Sequence, residues 1–264
     1  MDVTRIRVFL KMTGVVAMTL VAVSMPLVTR VVTFGSARAV ARVGSYASWK
    51  WSRWLCSILG IRVLATGKPA GRPYVVASNH VSYLDILVLG SLYPSQFVAK
   101  QEIRGWPLFG WISRAAGTLF VDRDSPRDAV RAIRAIRGLL AAGTPITMFP
   151  EGGTSRGEDI RPFLPSLLEP AASAGVPCYA ASLSYETPNC ERPPAETICW
   201  SDGSNFVRHF LGVMGLGPIE ARVSFSRSPV QSSDRKELAQ RLWEDARGSF
   251  VPIRRDPQPR RCAP

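Results

Sequence analysis

A chain of 264 residues with 46% hydrophobic side chains can bury a real core, and its length suits one domain of about 250 residues, or a domain with an appendage. A large multidomain assembly is excluded, and so is a disordered chain, because the apolar fraction is ordinary rather than depleted. The 33 Lys and Arg residues against 20 Asp and Glu leave a net charge of +13, which predicts an anionic partner: nucleic acid, a lipid headgroup surface or a phosphorylated substrate.

The placement of that charge selects among the three. Residues 1–60 hold Arg5, Arg7, Lys11, Arg30, Arg38, Arg42, Lys50 and Arg53 against Asp2 alone, so this stretch supplies +7 of the +13. It is also the most apolar part of the chain. Met12–Thr29 is an uncharged run of 18 residues bracketed by Lys11 and Arg30. As a helix it reaches ~27 Å, short of a hydrocarbon core of ~30 Å. Pro26 is expected to kink or end that helix. Basic residues at both ends assign no orientation by the positive-inside rule. Ala39–Gly60 then reads as an amphipathic segment in which Tyr46, Trp49, Trp51 and Trp54 interleave with Lys50 and Arg53, which suits a helix at a headgroup boundary. Ala37-Arg38-Ala39 imitates a signal-peptide cleavage site, but the run exceeds the ~7–15 residues of a signal core and Arg30 interrupts it. The reading is a retained membrane anchor. Five cysteines, an odd number without C-x-x-C spacing, fit a reducing compartment. No helix-turn-helix, zinc-finger or RNP pattern accompanies the basic residues, which sets nucleic acid aside as a partner.

Beyond residue 60 short β-rich runs alternate with helical ones, the pattern of an α/β domain. Strands are expected at Ile61–Ala65, Tyr74–Ala77, Gln96–Ala99, Thr118–Val121, Ile146–Phe149, Cys178–Ser182, Thr197–Trp200 and Ala221–Phe225. One helix is announced by Asp124-Ser125-Pro126, with Val130, Ile133, Ile136 and Leu140 on one face and Gly143 beyond its end. A second starts at the capping-box-like Asp234-Arg235-Lys236-Glu237 and carries Leu238, Leu242, Ala246 and Phe250 as its buried stripe. The organisation is thus an anchor over 1–60, one α/β domain over 61–255 and a loose tail over 256–264.

The chain has two histidines, so imidazole chemistry must use His80 or His209. His80 follows an apolar strand, at the end where α/β domains bind ligands, and Asp85 lies five residues on. Residues i and i+5 of a regular helix point ~140° apart. The two can meet only if His80 sits in the turn before a helix and Asp85 in its first turns. The carboxylate then holds Nδ1–H and leaves Nε2 as a base toward a hydroxyl. Alone, such a pair is more often a strand-end histidine beside an exposed aspartate. Three further segments change the balance. Gly117–Arg123 places an arginine, suited to phosphate, at the end of another strand. Phe149–Arg156 ends a third strand in a Gly-rich turn whose N–H groups can surround an anion. Val176-Pro177 opens a fourth.

These blocks resemble the glycerolipid acyltransferases of the lysophosphatidic acid acyltransferase type. The N-H-x-x-x-x-D block is Asn79 to Asp85, G-x-x-F-x-x-R is Gly117 to Arg123 through Phe120, and F-P-E-G-T-x-S is Phe149 to Arg156 through Pro150; a proline-led fourth block covers Val176 to Ala180. The resemblance spans about residues 55–230. It implies a single α/β acyltransferase domain with a mixed sheet, preceded by a helical anchor in one leaflet. It implies His80 as general base on a glycerol-type hydroxyl attacking a thioester, with Asp85 orienting the ring. It implies an acceptor site built from Arg123, Glu151 and Gly152, with Lys100 at a commonly basic position. The implied reaction moves a fatty acyl group from acyl-CoA or acyl carrier protein to lysophosphatidic acid, at the cytoplasmic face of the inner membrane, with no further cofactor. No metal-ligand spacing is present.

Three departures from the family pattern stand out. Gly153 intervenes before Thr154 and Ser155 and shifts both by one, which counts against them as contacts; Phe163-Leu164-Pro165-Ser166 replaces the usual F-x-x-G and the fourth block lacks a second proline, and these two bear on the acceptor. Lyso-ornithine lipid therefore stands beside lysophosphatidic acid as a candidate acceptor. A serine lipid hydrolase is the competing enzyme class, since Gly153–Gly157 fits G-x-S-x-G with Asp202 and His209 following Ser155. A non-catalytic lipid carrier with the same fold is the other alternative.

Overall fold

The computed structural model describes residues 3–106, 109–122, 125–200 and 205–256. Two long helices come first, α1 (Val3–Val32) and α2 (Ala37–Leu59), joined by a short turn and packed against each other. Ser36 caps α2 at its start, and Gly60, left-handed at φ 77°, closes it. The chain continues through β1 (Ile61–Thr66), β2 (Val75–Ser78), α3 (Leu84–Leu92) and β3 (Gln96–Lys100). A 3-10 turn (Gln101–Gly105), α4 (Phe109–Ala115), β4 (Leu119–Val121), α5 (Pro126–Ala141) and β5 (Ile146–Met148) follow. The remainder is α6 (Pro165–Ala174), β6 (Cys178–Glu186), α7 (Pro194–Thr197), α8 (Phe206–Gly215), β7 (Ile219–Phe225) and α9 (Arg235–Gly248).

The strands form one seven-stranded sheet in the order β1-β7-β6-β2-β5-β3-β4. Every pairing is parallel except β6 with β7, so the sheet is mixed. The C-terminal ends of β2, β3, β4, β5 and β6 therefore share one edge, the place where parallel sheets bind ligands. Alternation along β2 and β6 sorts the core into two layers. Val76, Tyr179, Ala181 and Leu183 face Leu55 and Leu59 of α2, Leu84 and Val88 of α3, and Met214 of α8. Val75, Ala77, Cys178 and Ala180 face Ile136 and Leu140 of α5, Leu168 of α6, and Leu238 and Leu242 of α9. Each fully buried Leu contributes roughly 1.5–3 kcal/mol of transfer free energy.

Several boundaries differ from the sequence reading. Pro26 does not end α1, which runs on to Val32; its ring is buried, and only the bond to the carbonyl four residues back is lost. The strand expected at Thr197–Trp200 is absent. Pro193-Pro194 opens the short helix α7 instead, which Thr197 ends, and the apolar pair Ile198 and Cys199 that imitated a strand is buried in the irregular chain just after it. β6 and β7 are longer than expected, because their antiparallel pairing extends out to Glu186 and Glu220. The box at Asp234 is a relay: Asp234 caps the Lys236 N–H, while Glu237 accepts from Ser232 Oγ rather than from the Asp234 backbone. Leu238, Leu242 and Ala246 are buried as expected. Residues 257–264 of the tail lie outside the described residues.

The amino-terminal helix pair is built into the domain. One side of α1 packs Val8, Met12, Val15 and Val23 inward, while Phe9, Val16, Leu20, Val28 and Val31 are exposed along its whole length. Val8–Val32 is long and apolar enough to cross a membrane. The aromatics of α2 divide. Trp49 Nε1 donates to Ser91 O and Trp51 Nε1 to Thr19 Oγ1, whereas Tyr46 and Trp54 stay exposed. Lys50 and Arg53 sit over the Trp49 ring at 4.6 and 5.6 Å.

Lys11 ties α1 to the ends of α2 and α8, its Nζ donating to Leu59 O at 3.3 Å and Met214 O at 3.1 Å. These carbonyls end α2 and α8, where a cation also meets the negative end of each helix. Lys11→Met is expected to cost about 1–3 kcal/mol, read as a drop in thermal midpoint of the detergent-purified protein. An unchanged midpoint would show the contact to be inert.

Candidate active site

Because β2 is buried at all four positions, its last residue delivers the following turn to the catalytic edge of the sheet. Asn79 stitches that turn in place. Its Nδ2 donates to Leu183 O at 2.9 Å and its Oδ1 accepts from Leu183 N at 2.7 Å, reproducing a strand-type pair with β6 through a side chain. His80 comes next, just before α3, and Asp85 lies in the helix's first turn, the arrangement that the five-residue spacing required.

The two side chains meet. His80 Nδ1 lies 2.7 Å from Asp85 Oδ2, and the same oxygen accepts from the backbone N–H groups of Val81 at 2.7 Å and Ser82 at 3.0 Å. The second oxygen, Oδ1, accepts from the Tyr185 hydroxyl at 2.8 Å. Asp85 is fully buried while His80 keeps 17% of its side chain exposed, so the carboxylate faces protein and the ring faces outward. Both oxygens of the carboxylate are thus occupied by donors. The His80 ring stacks on Phe149 with centroids 4.0 Å apart and planes 13° from parallel. Held at one nitrogen and one face, the ring has Nε2 left for an external proton.

The turn after β5 grips the backbone of His80. Glu151 Oε1 accepts its N–H at 2.9 Å, and Ser155 N–H donates to its carbonyl at 2.8 Å. Arg161 Nε donates to Glu151 Oε2 at 3.1 Å. Burial pushes the Glu151 carboxyl up from its ordinary value, opposed by the His80 N–H and by Arg161. The resemblance placed Glu151 among the acceptor contacts; here both its oxygens are engaged under the histidine. Arg161, which the sequence reading did not single out, is the partner that lets a buried carboxylate sit there. Gly152 has φ 84°, a conformation that side chains rarely adopt, and the turn folds back there with its N–H on Phe149 O. Pro150 O accepts from Leu164 N, and the Thr154 hydroxyl is buried without a partner among the described residues.

The remaining expected residues lie toward the far edge. Lys100 ends β3, at the same end of the sheet as His80 and paired in register with Val121. Phe120 is half-buried in β4. Gly117 has a structural reason: at φ 79° a Cβ there would stand 2.5 Å from Gln96 Oε1. Gln96 in turn holds α2 through Ala41 O and Ser45 Oγ. Arg123 and Asp202 lie outside the described residues. Of the hydrolase residues that the structure describes, Ser155 Oγ accepts from Gly157 N and His209 Nδ1 bonds the Tyr83 hydroxyl. Burial lowers the pKa of His209, whose ring stands edge-on to Tyr83, itself packed on Phe206 and Phe210.

The Acyltransferase family profile matches residues 61–184. A lyso-ornithine lipid O-acyltransferase of Pseudomonas aeruginosa is 34% identical over 214 residues, covering 81% of each chain. The chain belongs to the acyltransferase family. A 1-acyl-sn-glycerol-3-phosphate acyltransferase of Neisseria meningitidis is 42% identical over a shorter stretch, 48% of this acyltransferase and 54% of the relative. The crystal structure of PlsC, the 1-acyl-sn-glycerophosphate acyltransferase of Thermotoga maritima, shares the fold with a TM-score of 0.58 at 21% identity, over 90% of this chain and 95% of that one. The mixed α/β sheet expected from the sequence is the sheet of this acyltransferase, and its enzyme class is the one that the motif blocks implied.

Proposed function

We propose that this acyltransferase moves a fatty acyl group from a thioester donor to the free hydroxyl of a single-chain membrane lipid, with His80 as general base. The observation that carries the reading is the His80 Nδ1 to Asp85 Oδ2 contact of 2.7 Å, which fixes the ring and leaves Nε2 for the attacking hydroxyl. A thioester is already activated, so no covalent enzyme intermediate is needed. His80 takes the hydroxyl proton as oxygen adds to the carbonyl, and returns it to the departing thiolate as the tetrahedral intermediate collapses. Asp85 stabilises the imidazolium between the two steps without accepting its proton.

The lipid arrives from the bilayer. With α1 docked on the domain through Val23, its exposed apolar side would lie in one leaflet rather than cross, and Lys50 and Arg53 would meet anionic headgroups. Thioester donors are cytosolic, which puts the catalytic edge on the cytoplasmic side. Lys100 and Arg123 are the proposed headgroup cations. Between the two acceptors, the extent of likeness favours lyso-ornithine lipid. Relatives with that name match over 69–81% of the chain, whereas the bacterial 1-acyl-sn-glycerol-3-phosphate acyltransferases match over 47–48%. The test is an acceptor screen with the detergent-purified enzyme, labelled acyl-CoA and acyl carrier protein as donors, and a panel of lysolipids, read by mass. Transfer to lyso-ornithine lipid at least ~10-fold faster than to lysophosphatidic acid is expected. The reverse ratio would reassign the acceptor, and transfer to neither would remove the reading.

A further inference from the structure

Asp85 is held by four donors, and they are unevenly placed. Oδ2 takes the His80 ring and two backbone N–H groups, all within five residues of the chain. Oδ1 depends on one donor from a different part of the fold, the hydroxyl of Tyr185 at 2.8 Å. Tyr185 lies on β6, where its register partner on β7 is Ala221, and it is 1% exposed. It stands beyond the fourth sequence block, which ends at Ala180, and none of the four blocks contains it. Burial and the neighbouring Asp85 charge push ionisation of this phenol well above its ordinary value, so it acts as a fixed donor.

A carboxylate held at one oxygen can still rotate about its Cβ–Cγ bond. A donor on the second oxygen fixes its plane, and with it the direction from Oδ2 to the imidazole. The same donor draws charge toward Oδ1 and so tempers the pull of Oδ2 on a proton at His80. We propose that Tyr185 is a positioning residue for His80, acting through Asp85 by fixing the carboxylate plane and setting the share of its charge that faces the ring. This rests on the reading of His80 as the general base. Removing the hydroxyl leaves a buried oxygen without its donor and a carboxylate whose plane is set from one side only.

The other groups around this chain are accounted for. Cys56 and Cys199 flank Tyr185, and burial pushes their thiols up to about 11 and about 12, above the range in which a base on a hydroxyl is assayed. Glu151 touches His80 from the opposite side with Arg161 behind it, and any contribution it makes to the acid limb is common to parent and variant.

Tyr185→Phe keeps the ring and deletes the hydroxyl. Its kcat is expected to fall about tenfold with both substrate KM values within about twofold, and the acid limb of its kcat/KM profile should move to higher pH. A fluorinated tyrosine placed at 185 keeps the shape and donates more strongly, so its limb should move the opposite way. An acid limb unmoved in both variants, or a loss carried by KM alone, would reduce Tyr185 to packing. If the phenylalanine variant does not fold, the fluorinated one decides by its limb. The two readings fail separately: an active His80→Ala enzyme removes the base, whereas a dead one beside parent-like Tyr185 variants removes only the role of Tyr185.

Discussion

With His80 replaced by alanine, acyl transfer is expected to fall at least ~10²-fold while the protein keeps its fold. The size follows from the chemistry, since a positioned base is worth ~10²–10⁴-fold and no second imidazole can substitute: His209 is bonded to Tyr83. Retention of the fold follows from which atoms hold the turn. Glu151 and Ser155 grip the His80 main chain, and Asn79 is fastened to Leu183, so none of these bonds involves the imidazole. Asp85 loses one of four donors and keeps Val81, Ser82 and Tyr185. The check is turnover with labelled thioester and lysolipid, beside a thermal melt. Transfer at the parent rate by a folded His80→Ala enzyme would exclude His80 as the base.

Much of this arrangement was legible because local pattern and long-range structure agree. β2 and β5 read as strands since they are short and wholly buried, and α5 announced itself with a serine cap, a first-turn proline and an apolar stripe. Helix geometry gave only the condition for a His80–Asp85 meeting, because the five-residue spacing forbids it inside a regular helix, and the other motif blocks made the meeting the expected outcome. Other elements carried weaker signals. α3 is buried nearly all round, so it has no polar face to mark its period. α6 and α8 did have readable marks, Pro165 with Gly175 and the Asn205 cap, that the motif blocks overshadowed. Ile198 and Cys199 misled because a buried apolar pair looks alike in a strand and in a packed loop. Tyr185 and Arg161 could not be found locally. Their partners are 100 and 10 residues away, and only the sheet order brings β6 beside β2.

Glu151 provides the second large effect, and it separates two roles for one carboxylate. The resemblance assigns it to the acceptor, whereas its geometry ties Oε1 to the His80 N–H and Oε2 to Arg161, with no side-chain surface exposed. A group that contacts the acceptor changes KM when removed; a group that places the base changes kcat. Glu151→Ala strips the acceptor under the His80 N–H and leaves that buried N–H unpaired, a cost of about 1–3 kcal/mol. The turn carrying the imidazole then loses its register with the hydroxyl, and misplacement by ~1 Å costs on the order of 10² in rate. Glu151→Gln is the graded partner: its carbonyl oxygen still accepts the His80 N–H, but its amide meets the Arg161 donor with a donor. The expected order in kcat is parent, then glutamine, then alanine, with the acceptor KM changed by less than about threefold throughout. Protonation should mimic the glutamine change. Since burial raises the Glu151 carboxyl, the ion pair with Arg161 is lost at a higher pH than for an ordinary glutamate, and kcat should decline there as pH falls. A large rise in acceptor KM in the alanine variant, with kcat retained, would return Glu151 to the headgroup and leave Arg161 alone to hold the turn.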